Sequence, residues 1–399
     1  MSRSARELQP ASAPTDEWAA EELQRLSSLG LRRELEPIDS PQGAEVKIAG
    51  RALVNFSSND YLGLANHPAL VEACAAAARR YGVGSGASRL LVGDTASHHA
   101  LERALAIWMH SDRALLFNSG YAANVGILSS LVGTGDVIFS DELNHASLID
   151  GCRLSRASTV VYPHRDLGAL ERLLQNHRGR RRLVCSESVF SMDGDRAPVH
   201  ELAALCAKFE AGLVIDEAHA IGVIGPAGTG ACAEAGLAGG AAVRMGTLGK
   251  ALGAFGAFVA ISGSVADLLI NRARTLIYST SLPMPICEAA RVAVGLASSG
   301  APQARLWRNV RRFREGLSRI GIRADASSCI FPVVLGAPER ALAASKHLRR
   351  RGLLVKAIRP PTVPPGTSRL RFSICASHAD EHIDLAIDAL ESLEIENGR

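Results

Sequence analysis

Between residues 17 and 35 apolar side chains recur at helical spacing, and Pro37 and Pro41 close the run. A hairpin pattern follows, with strands over 45–48 and 52–56 joined through Ala49 and Gly50. From about Ser57 to Ser281 two kinds of segment alternate. Helix-type stretches cover 69–80, 97–110, 122–131, 167–175 and 199–208, and short β-rich runs cover 113–117, 136–140, 159–162, 183–186 and 213–216. This alternation predicts an α/β fold with a mostly parallel central sheet covered by helices. Ligands of such sheets gather at the carboxyl ends of the strands. Beyond Pro283-Met284-Pro285 the pattern becomes that of a smaller α/β unit: a helix over 303–318, a strand over 330–335, a helix to Arg350 and a strand over 370–374. The expected division is an N-terminal helix plus hairpin (1–56), a large domain (57–285) and a small C-terminal domain (286–399).

Composition narrows this picture by exclusion. Hydrophobic residues at 47% and charged residues at 21% of 399 describe a globular chain able to bury a sizeable core. A net charge of +4 is too small and too dispersed to argue for a nucleic-acid partner. The arginine triplets 180–182 and 349–351 could meet an anion, although solvated element ends explain them as well. Eight cysteines are scattered without a C-x-x-C pair, which predicts reduced, buried thiols rather than metal ligands or bridges. The longest apolar stretch, 251–261, is too short to span a bilayer, and the polar leader 1–16, expected to be frayed, has no apolar centre. No membrane partner and a cytoplasmic location are expected.

Chemistry enters at Leu213-Val214-Ile215-Asp216-Glu217-Ala218-His219, an apolar strand ending in a carboxylate with an imidazole three residues on. Alone, such an acid is as readily a helix cap as a functional group. Lys250, set among glycines and apolar residues in Thr247-Leu248-Gly249-Lys250-Ala251-Leu252-Gly253, alters the balance. Desolvation would leave its amine neutral and nucleophilic, suited to a Schiff base. By itself it would read as a surface-loop lysine. With Asp216 it forms a functional pair: a Schiff-base lysine, and an acid that keeps a pyridine nitrogen protonated so that the ring accepts electrons.

Asp216-Glu217-Ala218-His219 and Thr247-Leu248-Gly249-Lys250 resemble the cofactor signatures of fold-type I pyridoxal-phosphate enzymes, in particular the α-oxoamine synthase family. Similarity extends, in family order, through Asn59-Asp60-Tyr61-Leu62-Gly63-Leu64, Gly84-Ser85-Gly86-Ala87-Ser88-Arg89, Asn118-Ser119-Gly120-Tyr121-Ala122-Ala123-Asn124, Asn144-His145-Ala146-Ser147 and Glu187-Ser188-Val189-Phe190-Ser191-Met192-Asp193-Gly194-Asp195. Tyr278-Ser279-Thr280-Ser281 and Arg359-Pro360-Pro361-Thr362-Val363-Pro364 complete it.

The resemblance implies that Ser119, Gly120, Tyr121 and Thr247 hold the phosphate of pyridoxal phosphate. It further implies that Ser279 and Thr280 reach that phosphate from a second subunit, hence a homodimer with shared sites. His145 is similar to the histidine that stacks on the ring, His219 to the partner of the ring oxygen and Ser191 to a further cofactor contact, with Glu187 an acid of undefined role. Asn59 and Arg371 match positions for the amino-acid carboxylate, though Arg371 also reads as a salt-bridged strand residue. Thr362 and Arg32 match acyl contacts, with helical register unable to separate Arg32 from the adjacent Arg33.

The implied activity is condensation of an amino acid with an acyl thioester, with Lys250 removing the Cα proton and CO2 leaving. Residues 358–367 resemble most the biotin-pathway member, which implies L-alanine and a pimeloyl group on coenzyme A or an acyl carrier protein. Members of the 5-aminolaevulinate synthase, 2-amino-3-ketobutyrate ligase and serine palmitoyltransferase types are the alternatives. A nucleotide-binding module, prompted by Gly82, Gly84 and Gly86, is more remote because those glycines follow a helix instead of opening one.

Overall fold

A computed structural model describes residues 13–237, 242–324 and 327–393; most of the leader expected to be frayed lies outside these described residues. The first helix, Pro14–Ser28, buries none of its side chains. It stops well short of the expected residue 35, because Gly30 takes φ of 64° and the amides of Leu31 and Arg32 fold back onto the Leu26 carbonyl. Strands β1 (Glu45–Ile48) and β2 (Arg51–Asn55) form the expected hairpin around Ala49 and Gly50.

Seven strands make the central sheet: β3 (Arg113–Phe117), β4 (Val137–Asp141), β5 (Ser158–Tyr162), β6 (Arg182–Glu187), β7 (Gly212–Asp216), β8 (Val243–Thr247) and β9 (Ala257–Ile261). Their order is β3-β9-β8-β7-β6-β4-β5, parallel except for β9, which runs against both neighbours. Alternate residues feed two separate apolar layers. Phe139, Val184, Ile215 and Phe258 face one, whereas Cys185, Val214, Met245 and Val259 face the other. Burial on both faces explains why these strands read as nearly continuous apolar runs. The pattern reading misses β8 and β9: Arg244 and Gly246 break up the first, and the second is submerged in the glycine-punctuated stretch 251–261.

The last third adds β10 (Ile330–Gly336), β11 (Leu353–Leu354), β12 (Ala357–Ile358) and β13 (Ser368–Ser373). Strands β10, β13 and β12 form an antiparallel sheet, while β11 joins β2 in parallel. Phe56, at the end of β2, packs with Phe313 and Phe372, and Phe313 lies 5.1 Å from Phe331 between ring centres. This aromatic knot fixes the start of the segment carrying Asn59 and Tyr61 against the strand carrying Arg371. All eight cysteines are free thiols, seven of them buried. Among the described residues no helix is long and apolar enough to cross a membrane.

Candidate active site

The carboxyl ends of β6, β7 and β8 open onto a cleft of about 550 Å³, lined by Asn59, His145, Ser191, His219, Lys250 and Arg371 among others. Asp216 ends β7 and is buried. Its carboxylate accepts from Asn124 Nδ2 at 2.7 Å and from the Ala218 amide at 2.8 Å. Asn124 lies on the helix Gly120–Leu131, and its side-chain nitrogen also reaches Ser147 Oγ at 2.9 Å. Two donors from fixed elements therefore hold this buried carboxyl group in place.

Lys250 sits on the turn that returns β8 into β9, and its Nζ lies 2.8 Å from His219 Nε2. Burial lowers the amine to about 8, with Arg371 acting in the same sense and Asp216 and Glu187 opposing. Burial likewise holds the imidazole of His219 well below its usual range, so the ring is neutral. Gly253 closes the lysine turn at φ of 62°, where a Cβ would strike the backbone of Leu64 and Ala65. The lysine turn thereby rests directly on the Asn59–Leu64 motif.

His145 precedes the helix Ala146–Ser155 and bonds Ser147 Oγ through Nδ1 at 2.7 Å. Burial depresses its pKa as well. Glu187, at the end of β6, is buried and raised well above the carboxylate range, first by desolvation and then by Asp216 beside it. Its Oε1 has no hydrogen-bond partner among the described residues.

Ser119 caps the helix Gly120–Leu131 by accepting from the Ala122 amide at 3.1 Å. A Cβ on Gly120 would come within 3.0 Å of Thr247 Cγ2, so the helix start and the end of β8 meet across a gap that only glycine leaves open. The side chain of Tyr121 turns outward to Asp150. Free first-turn amides, the Thr247 hydroxyl, the buried carboxyl group of Asp216 and an amine of lowered pKa form a set of groups that fits pyridoxal phosphate.

Arg371 is 7% exposed, and each of its partners is neutral: the Ser191 carbonyl, Asn59 Oδ1, Ser373 Oγ and the Tyr61 hydroxyl. Among the described residues no carboxylate lies within ion-pair reach of it, which removes the salt-bridge reading. Two residues earlier on the same strand, Arg369 pairs with Asp193. A buried guanidinium without a counter-charge is a socket for an external anion.

At the cleft mouth Thr362 accepts from Arg33 at 3.0 Å, whereas Arg32 turns to Glu34 at 3.7 Å. Of the two arginines left open by register, Arg33 is the one beside Thr362, because chain reversal at Gly30 rotates Arg32 outward. Ser279 and Thr280 lie outside this cleft, next to Asn118, which donates to the Thr280 carbonyl. Tyr61, Asn124 and Arg33 have direct parts in the site that motif reading did not assign. The first two lie inside quoted motifs, where a buried phenol or amide was the available signal.

The family model of class I and II aminotransferases matches residues 51–390. An 8-amino-7-oxononanoate synthase of Anaeromyxobacter dehalogenans is 51% identical over 379 residues, 94% of this chain and 95% of that protein. Another, from Geobacter sulfurreducens, is 48% identical, covering 95% and 98%. Among solved structures, a serine palmitoyltransferase from S. paucimobilis with a bound PLP-myriocin aldimine superposes with a TM-score of 0.90 at 30% identity over 96% of this chain and 98% of that one. An 8-amino-7-oxononanoate synthase from Francisella tularensis gives 0.72 at 29% identity over 85% and 97%. The backbone is thus shared across proteins named for different substrates, while identity near one half is reached with the two 8-amino-7-oxononanoate synthases from Anaeromyxobacter dehalogenans and Geobacter sulfurreducens. This chain belongs to the class I and II aminotransferase family and, within it, to the family of the pyridoxal-phosphate-dependent 8-amino-7-oxononanoate synthases.

Proposed function

We propose that the chain joins L-alanine to a pimeloyl thioester, carried on coenzyme A or an acyl carrier protein, with loss of CO2, giving 8-amino-7-oxononanoate for biotin biosynthesis in the cytoplasm. The observation that carries this reading is Arg371: a buried, uncompensated guanidinium on the wall of the cleft that holds an amine of lowered pKa. Similarity of about half of all residues to enzymes of that name supports the substrate pair.

Pyridoxal phosphate bound in this site supplies a protonated pyridine ring that accepts the electron pair left at the amino acid's Cα. In our reading Ser119, Gly120, Tyr121 and Thr247 hold its phosphate, joined by Ser279 and Thr280 of a second subunit. Asp216 keeps the proton on the ring nitrogen. His145 packs over the ring, and His219 and Ser191 contact its edge. Arg371 and Asn59 grip the alanine carboxylate and so fix which Cα bond faces the ring. Lys250, near neutrality as an amine, takes the Cα proton and later returns one. Met192, Leu143 and Ile149 line the cleft and exclude water from the acyl chain, whose approach passes Thr362 and Arg33. The division into residues 1–56, 57–285 and 286–399 is kept in this reading.

A homodimer accords with the position of Ser279 and Thr280 away from their own cleft, and with exposed apolar side chains at Leu90, Leu91, Val92, Phe255 and Tyr278. Measuring coenzyme A release tests the substrate pair. L-Alanine with pimeloyl-CoA should exceed glycine with acetyl- or succinyl-CoA, and L-serine with palmitoyl-CoA, by at least about tenfold in kcat/KM. A sister pair that outperforms it would overturn the assignment.

A further inference from the structure

Tyr61 is fully buried, and its hydroxyl meets three partners: Arg371 Nη2 at 3.2 Å, Asn59 Oδ1 at 3.1 Å and His219 Nδ1 at 2.6 Å. The other ring nitrogen of His219 meets Lys250 Nζ at 2.8 Å. A continuous chain of hydrogen bonds therefore runs from the guanidinium at one end of the cleft to the amine at the other. Counting protons along it leaves two arrangements. A guanidinium only donates, so it takes one lone pair of the phenol oxygen, and the single phenol proton goes to either His219 or Asn59. In the first case Nδ1 of His219 accepts and Nε2 carries the imidazole proton. In the second, Nδ1 carries it and Nε2 is left as an acceptor.

Charge decides between them. Arg371 draws electron density from the phenol oxygen, which makes Tyr61 a better donor and a poorer acceptor. The shortest contact of the hydroxyl is also the one to His219. We propose that Tyr61 is a positioning residue: its hydroxyl donates to His219 Nδ1 and so fixes the imidazole proton on Nε2, facing Lys250 Nζ. This rests on hydrogen-bond geometry and is independent of the substrate pair proposed above.

The groups surrounding the chain are few. Lys250, Arg371 and His145 face His219; Asp216, Glu187 and Arg371 face Lys250; Arg371 and Cys329 act on Tyr61. Burial already keeps the imidazole neutral, so its tautomer is the remaining variable. Tyr61 would thereby present the neutral amine of Lys250 with a donor. A Lys250 ammonium would need Nε2 as acceptor instead, with the phenol turning to Asn59 Oδ1.

The test is the tautomer of His219 in the full-length chain, read from nitrogen shifts of 15N-histidine-labelled protein with and without pyridoxal phosphate. His219 is picked out of the 12 histidines by difference against His219→Asn. At about pH 9, above the Lys250 midpoint, Nε2–H should dominate in both forms. Dominance of Nδ1–H there would overturn the proposal. Tyr61→Phe should populate both tautomers and lower kcat about tenfold, while KM for L-alanine moves less than about threefold because Asn59 and Ser191 still hold Arg371. A Tyr61→Phe protein with a single Nε2–H tautomer and unaltered kcat would also overturn it. Should that variant fail to fold, the unsubstituted protein's tautomer still decides.

Discussion

The chain between Glu187 and Asp195 touches two charged clusters. On one side His164 lies between Asp141 at 2.9 Å and Asp195 at 2.8 Å, and Arg165 adds a second cation to Asp195. On the other, Arg371 donates to the Ser191 carbonyl and to neutral side chains, with no carboxylate within ion-pair reach among the described residues. The first cluster is the wetter of the two, with the His164 and Arg165 side chains 20% and 45% exposed against 7% for Arg371, yet exposure alone does not say which of them serves chemistry. Compensation does: the first cluster satisfies its own charges and ties strand ends together, while the second leaves a positive charge for something outside the chain to neutralise. Within a single fold, charge balance is thus a better guide to chemistry than burial or the presence of ionisable residues.

Arg371→Met attacks the contrast most directly. It should lower kcat/KM for L-alanine about a hundredfold or more, and leave the melting temperature equal or higher, since a buried uncompensated cation is removed. Steady-state kinetics and a thermal melt of the same preparation check both halves. A large fall in melting temperature would place Arg371 with the structural cluster.

His164→Gln should behave in the opposite way. Burial alone would depress the imidazole, but the two carboxylates outweigh it and raise its pKa to about 9, above the ordinary 6.5. The stabilisation is therefore complete below about pH 6.5 and lost as pH rises through about 9. The substitution should cost about 2 kcal/mol at pH 7, a figure reduced for the exposed part of the imidazole, and progressively less by pH 10, with kcat per folded molecule within about threefold. Denaturant melts at the two pH values distinguish this from a pH-independent packing loss. The smallest effect belongs to the cleft mouth, where Arg33→Ala should raise KM for the acyl thioester about threefold and Arg32→Ala should leave it within error.

Much of the contrast was hidden in the sequence, for a physical reason. Strand-end chemistry is local: the apolar run into Asp216 and the glycine-framed Lys250 advertise themselves within a few residues, and Lys250 lines the cleft with Asp216 close enough to act on its charge. The alternating segments gave the parallel sheet because a strand buried on both faces leaves a recognisable run. Compensation, in contrast, is set by partners far away in the chain. Nothing near Arg371 says that it lacks an acid while Arg369 has Asp193. Nor does local pattern reveal that Tyr61 lies under His219, or that reversal at Gly30 turns Arg33, not Arg32, toward Thr362. Strand β9 hides in the glycine-punctuated stretch 251–261, and its reversed direction is a property of the pairing, which no local pattern carries.

That reversed strand has a mechanical consequence. Had β9 been parallel to β8, a long crossover would have separated them, and Lys250 would hang from one anchored end. Instead Thr247 and Ala257 pair directly, and the Leu248 amide bonds the Gly256 carbonyl at 2.9 Å beneath the turn. The amine of Lys250 is thus carried by a loop clamped at both feet, which leaves its swing to the side chain alone.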